Sequence, residues 1–421
     1  MKVLWLSNVI LPDVAENEGL PVNIYGGWVT GLFNELRLMN KFNFCFVAPF
    51  KKKRHGITKH MHQYYLFKTR EAHKYIYGLQ RYFVKILKKE NPDIIHIFGS
   101  EFPHALIMAE AAKKVGLADR VLLNLQGIIG LYALSFFDGL PKNIINKYTL
   151  RDLIKNDNIY QQKMKYLRRG MYEFKALRAI SHVSGRTGWD RAAASAINPN
   201  IEYHFANEIL RDNFYSSKKW SYEECQKYTI FMSQSAHPIK GLHFALEALN
   251  ILKNDFDVHL RVAGTPLINN KSAHRQTYYA IYIKELIDEY NLSKYITFTG
   301  ELNANEMHDE YLKAHVAICP SSIENSPNSM QEAGLLGVPR VAAEVGGTSS
   351  IIVHNQTGFL YIHDEPDMLA DYIKDIFTNE ELAKKMSIES IKDTSKLTDK
   401  KANSMAIVSA YEKIINMSGK I

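Results

Sequence analysis

Two carboxylates that could act on one ligand lie in the stretch "SSIENSPNSMQEAGLLGVPR" (321–340), where Glu324 and Glu332 are eight positions apart. Such a pair suits a solvated surface, the two acids of a glycosidase, or two groups that hold the hydroxyls of a polyol ligand. The residues between and after the two glutamates favour the third interpretation.

A helix is predicted to begin between the two acids. Ser326 followed by Pro327 is typical of an N-cap and a first helical residue, and Gly337 is typical of a helix end. The backbone N–H groups of Asn328 and Ser329 then point out of the helix start, where such groups bind phosphate. A nucleotide-sugar fits this arrangement, because it carries a sugar on one side of a diphosphate and a ribose on the other.

Length and composition indicate what kind of protein contains this site. At 421 residues the chain exceeds the size of a single hydrophobic core, so two domains are expected. Asn8, Pro12 and Asp13 interrupt the first apolar run too early for a signal peptide, and no apolar run approaches the ~18 residues of a membrane span. The three cysteines are scattered and have no metal-like spacing, which favours a reduced, cytoplasmic location.

The charge is divided unevenly along the chain. Residues 1–206 contain 30 Lys and Arg against 16 Asp and Glu, whereas residues 207–421 contain 22 against 28. A basic half suits an anionic substrate, an anionic membrane leaflet or nucleic acid, and the plain alternative is a merely soluble surface. The charge alone does not decide between these interpretations.

Both halves alternate short apolar runs with longer helical patterns, which predicts an α/β fold with parallel sheets. Strands are predicted in the first half at 2–8, 42–50, 93–99, 120–127 and 201–207. Strands are predicted in the second half at 228–234, 258–264, 295–300, 316–322 and 340–347. The predicted domains are a basic domain at 1–206, a second domain at 207–398, and a terminal helix at 399–421 that packs back on the first domain. An amphipathic helix at 69–90 is expected to pack on its own sheet rather than on a membrane.

The chain resembles the family 4 glycosyltransferases. The stretch "ENSPNSMQEAGLLGVP" is similar to their E-x7-E signature, and further landmarks follow in the same order over nearly the whole chain: "GGW" (26–28), "PDIIHIFGSE" (92–101), "HPIKGLHFALEAL" (237–249), "FTGEL" (298–302) and "GGTSS" (346–350). The resemblance implies the GT-B fold, with two Rossmann-like domains facing each other across a cleft. It also implies transfer of a sugar from a nucleotide-sugar with retention at the anomeric carbon.

The resemblance assigns roles to residues of the second half. Glu324 is expected to face the donor sugar, Glu332 to hold the ribose hydroxyls, and Lys240 to neutralise the donor diphosphate, with Glu324 and Lys240 as the catalytic residues. The other donor-binding residues implied are Ser235, Gly300, Leu302, Asn325, Ser326, Asn328, Ser329, Gly346 and Gly347. A UDP-sugar is the favoured donor and a GDP-sugar the alternative.

The resemblance makes residues 1–206 the acceptor-binding domain and residues 207–398 the donor-binding domain. For the basic first domain we expect a phosphorylated or lipid-linked acceptor, peripheral contact with the inner face of an anionic membrane, and no role for nucleic acid. Acceptor contacts are expected from the first half. The residues are Gly26, Gly27, Trp28, Glu101, Gln126 and Arg186. No cofactor and no metal are expected, because "DFD" (255–257), the one stretch similar to a metal-binding Asp-x-Asp, precedes a strand and reads as a solvated turn. "TGWD" (187–190) predicts a capping box.

The chain departs from the family pattern at four positions. Ser235 stands where an Arg is frequent, Asn325 where a Gly is frequent, and Ser350 where a Glu is usual. Gln126 stands in place of a His, and its amide can bond a sugar hydroxyl but cannot act as a base. These changes bear on the donor and acceptor more than on the fold.

The same residues disfavour two other enzyme classes and leave two alternatives open. A dehydrogenase is disfavoured because no G-x-G-x-x-G follows the first strand of either half. A retaining glycosidase needs its two acids about 5 Å apart across a glycosidic bond, which does not suit a glutamate inside a helix. A nucleotide-sugar epimerase of the same fold and a non-catalytic, basic anion- or membrane-binding protein remain as alternatives.

Overall fold

The computed structural model describes residues 1–21, 26–69, 71, 73–216, 218–265, 267 and 275–419. The chain forms two compact units. Unit 1 comprises Met1–Leu131, Tyr166–Arg211 and Thr398–Ile421, and unit 2 comprises Tyr132–Lys165 and Asp212–Leu397.

The division differs from the predicted domains mainly at one segment, while residues 207–211 and Thr398, predicted to lie in the second domain, group with unit 1. Residues 132–165, predicted to lie in the first domain, group with unit 2. Side chains of this segment bond the backbone of unit 2, since Asp152 accepts from Tyr278 N at 2.8 Å and Thr149 Oγ1 donates to Gln276 O at 2.7 Å. The sequence does not reveal this because, along the chain, the segment lies between two strands of the sheet of unit 1.

The sheet of unit 1 has eight strands. They are β1 (Lys2–Ser7), β2 (Asn43–Phe50), β3 (Arg54–Ile57), β4 (Gln63–Lys68), β5 (Ile94–Phe98), β6 (Val121–Asn124), β7 (His182–Gly185) and β8 (Glu202–Phe205). Their order is β3-β4-β2-β1-β5-β6-β7-β8, and all neighbours are parallel except β3 and β4.

The sheet of unit 2 has six strands, all parallel. They are β9 (Thr229–Met232), β10 (His259–Ala263), β11 (Ile296–Gly300), β12 (Val316–Cys319), β13 (Arg340–Ala343) and β14 (Phe359–Tyr361), in the order β11-β10-β9-β12-β13-β14. The order in which the chain adds strands to the sheet reverses between β9 and β12. In open parallel sheets, ligands bind at the carboxyl edge where this reversal occurs.

The helices are numbered along the whole chain. They are α1 (Pro12–Asn17), α2 (Gly27–Leu38), α3 (Leu79–Glu90), α4 (Pro103–Lys114), α5 (Ile129–Tyr132), α6 (Lys142–Ile145), α7 (Leu150–Lys155), α8 (Ile159–Arg178), α9 (Gly188–Ile197), α10 (Asn213–Ser216), α11 (Leu242–Leu252), α12 (Tyr278–Glu289), α13 (Ala304–Lys313), α14 (Asn328–Leu336), α15 (Pro366–Thr378), α16 (Glu380–Leu397) and α17 (Lys400–Met417). None of the helices in the described ranges is long and apolar enough to cross a membrane.

The ten strands predicted from the sequence are all present, and the predicted α/β class with parallel sheets is confirmed. Four strands were missed: β3, β4, β7 and β14. Three of them have only three or four residues, and β3 and β4 lie at the edge of the sheet of unit 1. Short strands carry too few residues for a periodicity to stand out.

Helix α17 belongs to unit 1 and packs on α2 and β8. The hydroxyl of Tyr411 accepts from Trp5 Nε1 at 3.2 Å and lies 2.7 Å from His96 Nδ1, in a fully buried position. Burial lowers the pKa of His96 to about 3, so its imidazole is neutral in this core. These contacts join the last helix to the first strand.

The amphipathic helix predicted at 69–90 is shorter in the structure, where α3 begins at Leu79 after Gly78 in the left-handed conformation. Residues 70 and 72 lie outside the described residues. The apolar side chains Leu79, Phe83, Ile86 and Leu87 are buried in the core of unit 1. Packing on its own sheet is therefore confirmed for this helix, and its apolar face is not available for a membrane.

A buried arginine ties the sheet of unit 2 to helix α14. Arg340 of β13 is 0% exposed, and its guanidinium donates to Met330 O at 2.8 Å and to Thr357 O at 3.0 and 3.2 Å. Burial lowers the pKa of Arg340 to about 10. These bonds fix the helix against the strand that follows it.

Candidate functional site

The two residues predicted to be catalytic meet at the reversal point of the sheet of unit 2. Lys240 ends a short 3₁₀ turn after β9, and Glu324 follows β12. Lys240 Nζ donates to Glu324 Oε1 at 2.5 Å, and Ser321 Oγ donates to the same oxygen at 2.9 Å. The side chains of Lys240 and Glu324 are 15% and 9% exposed, so the ion pair is largely shielded from solvent.

A glycine allows the lysine turn to lie against the strand loop that carries the glutamate. Ser322 N donates to Ile239 O at 2.9 Å, which joins the two loops. Gly241 has a φ of +72°, and a Cβ placed on it would lie 1.8 Å from Pro320 O. The close approach of the loops therefore requires glycine at this position.

Helix α14 begins one residue later than predicted. Pro327 rather than Ser326 is the N-cap, because its backbone is extended (φ −66°, ψ 114°) and Asn328 is the first helical residue. The hydroxyl of Ser326 instead accepts from Gln331 Nε2 at 3.0 Å. Asn328 and Ser329 are the first two residues of the helix, so their N–H groups belong to its first turn. The predicted helix end at Gly337 is confirmed, with a φ of 82°.

Glu332 and Asn325 are both buried close to this helix start. Glu332 lies inside α14, and Asn325 belongs to the loop that precedes the helix. Asn325 does not adopt a positive φ. The replacement of glycine by asparagine therefore needs no strained backbone here.

The glycine pair after β13 holds the backbone of Glu324. Gly347 N donates to Glu324 O at 3.0 Å. Gly346 has a φ of +53°, and a Cβ on it would lie 2.0 Å from the same carbonyl oxygen. The sequence predicts that these glycines contact the nucleotide, and the structure shows that Gly346 is also required by close packing within the protein.

The remaining donor-binding candidates lie after neighbouring strands of the same sheet. Ser235 follows β9, Gly300 ends β11, and Leu302 comes two residues later. Ser235 is buried, and its Oγ has no hydrogen-bond partner in the described part of the chain. The sheet topology therefore brings these residues to one edge.

A cavity of about 340 Å³ opens beside the lysine turn in unit 2. It is lined by Arg151, Asp157, Gln162, Ala236, His237, Thr265, Leu267, Arg275, Gln276 and Thr277. His237 and the two arginines were not singled out from the sequence. His237 could have been found from the sequence, because it begins the stretch "HPIK" that contains Lys240. Arg151 could not, because it is distant in sequence and lies here only since residues 132–165 group with unit 2.

In unit 1, Glu101 lies after β5 among buried polar groups. Asn8 Nδ2 donates to Glu101 Oε1 at 2.9 Å, and burial raises the pKa of this carboxyl. Nearby, Glu173 accepts from Ser100 Oγ at 2.5 Å and from Gly130 N at 3.0 Å, and burial raises its pKa to about 8. Glu173 is thus largely protonated at neutral pH, which limits the negative charge around Glu101.

Arg186 and Gln126 are joined in the structure. Arg186 is 3% exposed, and it donates to Gln126 O at 2.8 Å and pairs with Glu208 at 2.9 Å. A guanidinium engaged on both sides is suited to position the loop of Gln126. The capping box predicted at Thr187 and Asp190 is confirmed.

The glycines of "GGW" are required by packing within unit 1. A Cβ on Gly26 would lie 2.3 Å from Val9 Cγ1, and one on Gly27 would lie 2.5 Å from Arg211 Cγ. The ring of Trp28 lies 5.7 Å from that of Phe98 at the end of β5. These contacts bring the start of α2 close to the ends of the neighbouring strands.

Two other features have no role at this site. The "DFD" turn precedes β10, and Asp255 pairs with Lys374 on the surface. Cys319 ends β12, and burial together with the charge of Glu324 raises the pKa of its thiol to about 11. The thiol is therefore protonated and unreactive at neutral pH.

Several known proteins are similar to this chain in sequence. Residues 216–393 match the family model described as "Glycosyl transferases group 1". The 2-deoxystreptamine N-acetyl-D-glucosaminyltransferase of Niallia circulans is 22% identical over 313 residues, which are 74% of this chain and 74% of that protein.

Solved structures with the same fold cover nearly the whole chain. Sucrose-phosphate synthase from Thermosynechococcus elongatus has a TM-score of 0.73 at 12% identity, covering 99% of this chain and 100% of the other. Anabaena HepE, solved in complex with UDP-glucose, has a TM-score of 0.66 at 16% identity, covering 98% and 100%. The predicted GT-B fold is confirmed, and the matches together support a glycosyltransferase.

The clash at Gly241 predicts a specific effect of Gly241→Ala. The substitution should push the Lys240 turn away from the loop of Glu324, lower the thermal midpoint, and weaken binding of a nucleoside diphosphate by about tenfold or more, equivalent to ~1.4 kcal/mol. Differential scanning fluorimetry and calorimetric titration measure the two effects.

Gly116→Ala is the matched control, because Gly116 has a φ of +73° and its Cβ would meet nothing within 4 Å. This variant should show only the cost of a left-handed alanine, about 1–2 kcal/mol, with unchanged nucleotide binding. Equal behaviour of the two variants would contradict the role given to the Gly241 contact.

Proposed function

We propose that the protein is a retaining glycosyltransferase that moves a sugar from a nucleotide-diphosphate sugar to a saccharide or lipid-linked acceptor without a metal cofactor. The observation that carries this proposal is the shielded Lys240–Glu324 pair beside the start of helix α14. Bacterial cell-surface polysaccharide, lipopolysaccharide or teichoic acid assembly is the setting that we infer for it.

The difficult step of such a transfer is the departure of the leaving group. As the bond from the anomeric carbon to the diphosphate breaks, negative charge grows on the diphosphate, and fixed positive charge close to it lowers the barrier. Lys240 supplies a full charge, and the amides of Asn328 and Ser329 supply the partial charge of a helix start. These groups can do the work for which other enzymes use a divalent metal.

The two glutamates take different roles in this proposal. Glu324 accepts bonds from Lys240 and Ser321, so its carboxylate is fixed in place and can bond hydroxyls of the donor sugar. Glu332 is placed inside α14, where it is proposed to accept bonds from the ribose hydroxyls. Neither residue is proposed to act as an acid or base.

The donor is proposed to be a UDP-sugar, with a GDP-sugar as the alternative. HepE, which has the same fold, has been solved with UDP and with UDP-glucose. An epimerase of the same fold would release its nucleotide diphosphate without an acceptor, whereas release by a transferase depends on the acceptor.

An exposed surface of unit 2 favours contact with an anionic membrane. The large apolar side chains Tyr148, Leu150, Leu153 and Ile154 are exposed there, and we call them the 148–154 surface. Lys147 and Lys155 flank it and are exposed as well. Exposed apolar side chains edged by lysines are typical of surfaces that lie in the headgroup region of a bilayer.

The negative charge nearest to this surface is turned inward. Asp152 is 0% exposed and accepts bonds from the backbone of Thr149 and Tyr278. Arg151 pairs with Asp152 and Asp157, so the outward positive charge of helix α7 comes from Lys155. A lipid-linked acceptor would lie in the same membrane.

Removing either member of the ion pair should reduce turnover strongly. Lys240→Ala and Glu324→Gln are each expected to lower kcat by about a hundredfold or more, since one lost electrostatic contact to the developing charge has that magnitude. Product formation from a labelled donor measures the loss, and circular dichroism verifies the fold. Lys374→Ala, which removes an exposed ion pair with Asp255, is the control and should keep full turnover. Near-normal turnover in either site variant would remove that residue from the mechanism.

Glu332→Ala should weaken nucleotide binding more than turnover. Hydrogen bonds to a charged group contribute about 1.5–3 kcal/mol, so calorimetry should show roughly ten- to a hundredfold weaker binding of the diphosphate.

A thermal-shift panel of UDP, GDP, ADP and their sugars, run with a chelator, identifies the donor class. Stabilisation that disappears with the chelator would contradict metal-independent binding.

The 148–154 surface should bind anionic vesicles through its apolar side chains. Ile154→Ser is expected to reduce recovery in flotation with phosphatidylglycerol-containing vesicles, because it removes a 73% exposed apolar side chain. Ile388→Ser is the matched control, since Ile388 is 65% exposed on unit 2 and lies outside this surface. Equal recovery of the wild type with neutral and anionic vesicles would refute the electrostatic part of the proposal.

A further inference from the structure

Three metal-binding side chains meet at the edge of the sheet of unit 1. His182 begins β7, and Glu202 and His204 lie on the edge strand β8. The two strands are parallel, with His182 opposite Glu202 and Ser184 opposite His204. Because alternate residues of a strand share a face, Glu202 and His204 lie on the same side of the sheet.

The distances within this cluster fit one metal ion. His182 Nδ1 lies 3.2 Å from His204 Nε2 and 3.4 Å from Glu202 Oε2. One ligand atom from each residue lies within 4.8 Å of the others. Zinc bonds of about 2.0–2.2 Å in tetrahedral geometry place ligand atoms about 3.4 Å apart, so only small side-chain shifts are needed.

The chemistry of the three groups favours a particular class of ion. His182 and His204 each offer an imidazole nitrogen, and Glu202 offers a carboxylate oxygen. Imidazole ligands select zinc and related transition metals over magnesium and calcium, which prefer oxygen ligands. Asp119 adds a further negative charge near His182.

A lysine holds the carboxylate of this cluster in the structure. Lys413 of helix α17 forms an ion pair with Glu202, and the lysine is largely exposed. The ammonium group and a metal ion would compete for the same carboxylate. Lys413 therefore occupies the carboxylate to which a metal ion from solution would have to bind.

The position of the cluster separates it from sugar transfer. His182 and Glu202 are the first residues of their strands, so they lie at the amino ends of β7 and β8. Arg186 and the other acceptor candidates follow the carboxyl ends of the strands. His204 lies two residues further along β8, opposite Ser184. The three side chains of the cluster therefore include none of the acceptor candidates.

We propose that His182, Glu202 and His204 bind one zinc-class divalent ion, which displaces Lys413 from Glu202. Water completes the coordination. The ion links the edge strand β8 to β7 and releases the lysine of α17. Because it binds the folded sheet and not the separated strands, it stabilises unit 1 increasingly as its free concentration rises.

Calorimetric titration of the chelator-treated full chain with Zn²⁺ tests the proposal. We expect one ion per chain with micromolar or tighter affinity, and a rise in the thermal midpoint. His204→Gln and Glu202→Gln should each weaken this binding by about tenfold or more, in line with loss of one of three ligands. Lys413→Met should strengthen it, because the competing cation is gone.

His55→Gln is the matched control. His55 lies on β3, the strand at the opposite edge of the same sheet, and is exposed. This variant should bind zinc like the wild type. Titration with Co²⁺ gives a second readout, since the visible absorption bands of a four-coordinate site should appear in the wild type and be lost in His182→Asn.

Two results would overturn the proposal. One is wild-type binding that is only millimolar or that has no defined stoichiometry. The other is equal zinc affinity in the wild type, His204→Gln and Glu202→Gln, provided that circular dichroism shows the variants to be folded. Either result would mean that the cluster is a hydrogen-bonded group held by Lys413 alone.

Discussion

The ion pair between Lys240 and Glu324 is the interaction on which the candidate site of unit 2 depends. It joins the turn after β9 to the loop after β12, the two central strands between which the sheet reverses its order. Bringing two charges out of water is costly unless other polar groups support them. Ser321 supplies one such bond, and the backbone contacts through Ile239, Ser322 and Gly347 hold both loops in register. Stability alone does not explain such a pair, because apolar residues of similar volume would do as well. The proposed donor, which needs a fixed cation beside a fixed acceptor of hydrogen bonds, would explain it.

The rest of unit 2 keeps this pair in place by close packing. Gly241 and Gly346 each let a backbone carbonyl approach to a distance that no other residue would permit. Arg340, buried in β13, bonds the carbonyl of Met330 and so fixes helix α14 relative to the sheet. Gly241 thus positions the lysine turn, Gly346 positions the glutamate loop, and Arg340 positions the helix start. A displacement of any one of them would change the distance between the positive groups and the carboxylate.

The sequence was sufficient for the parts of the molecule that follow local rules. Strand periodicity predicted ten strands, Gly337 predicted the end of α14, and "TGWD" predicted a capping box. The Ser326 prediction was wrong by one residue because proline accommodates an extended N-cap as well as a first helical position, and local sequence does not separate the two. Ser235, Lys240, Gly300 and Glu324 each follow or end a predicted parallel strand, so the sequence alone places them at one edge of a sheet.

What the sequence could not supply are pairings between distant segments. Residues 132–165 belong with unit 2 only through bonds such as that of Asp152 to Tyr278, and no periodicity encodes a partner so far away along the chain. The histidines illustrate the same limit, since His182 and His204 have no metal-like spacing along the chain and approach each other only because β7 and β8 are neighbours. Parallel strands joined by a crossover helix separate facing residues by about a dozen positions or more, since the connection lies between them. Spacing motifs detect ligands on one turn or one helix, and they fail for ligands that face each other across parallel strands. Sites of this second kind therefore have to be sought in the structure.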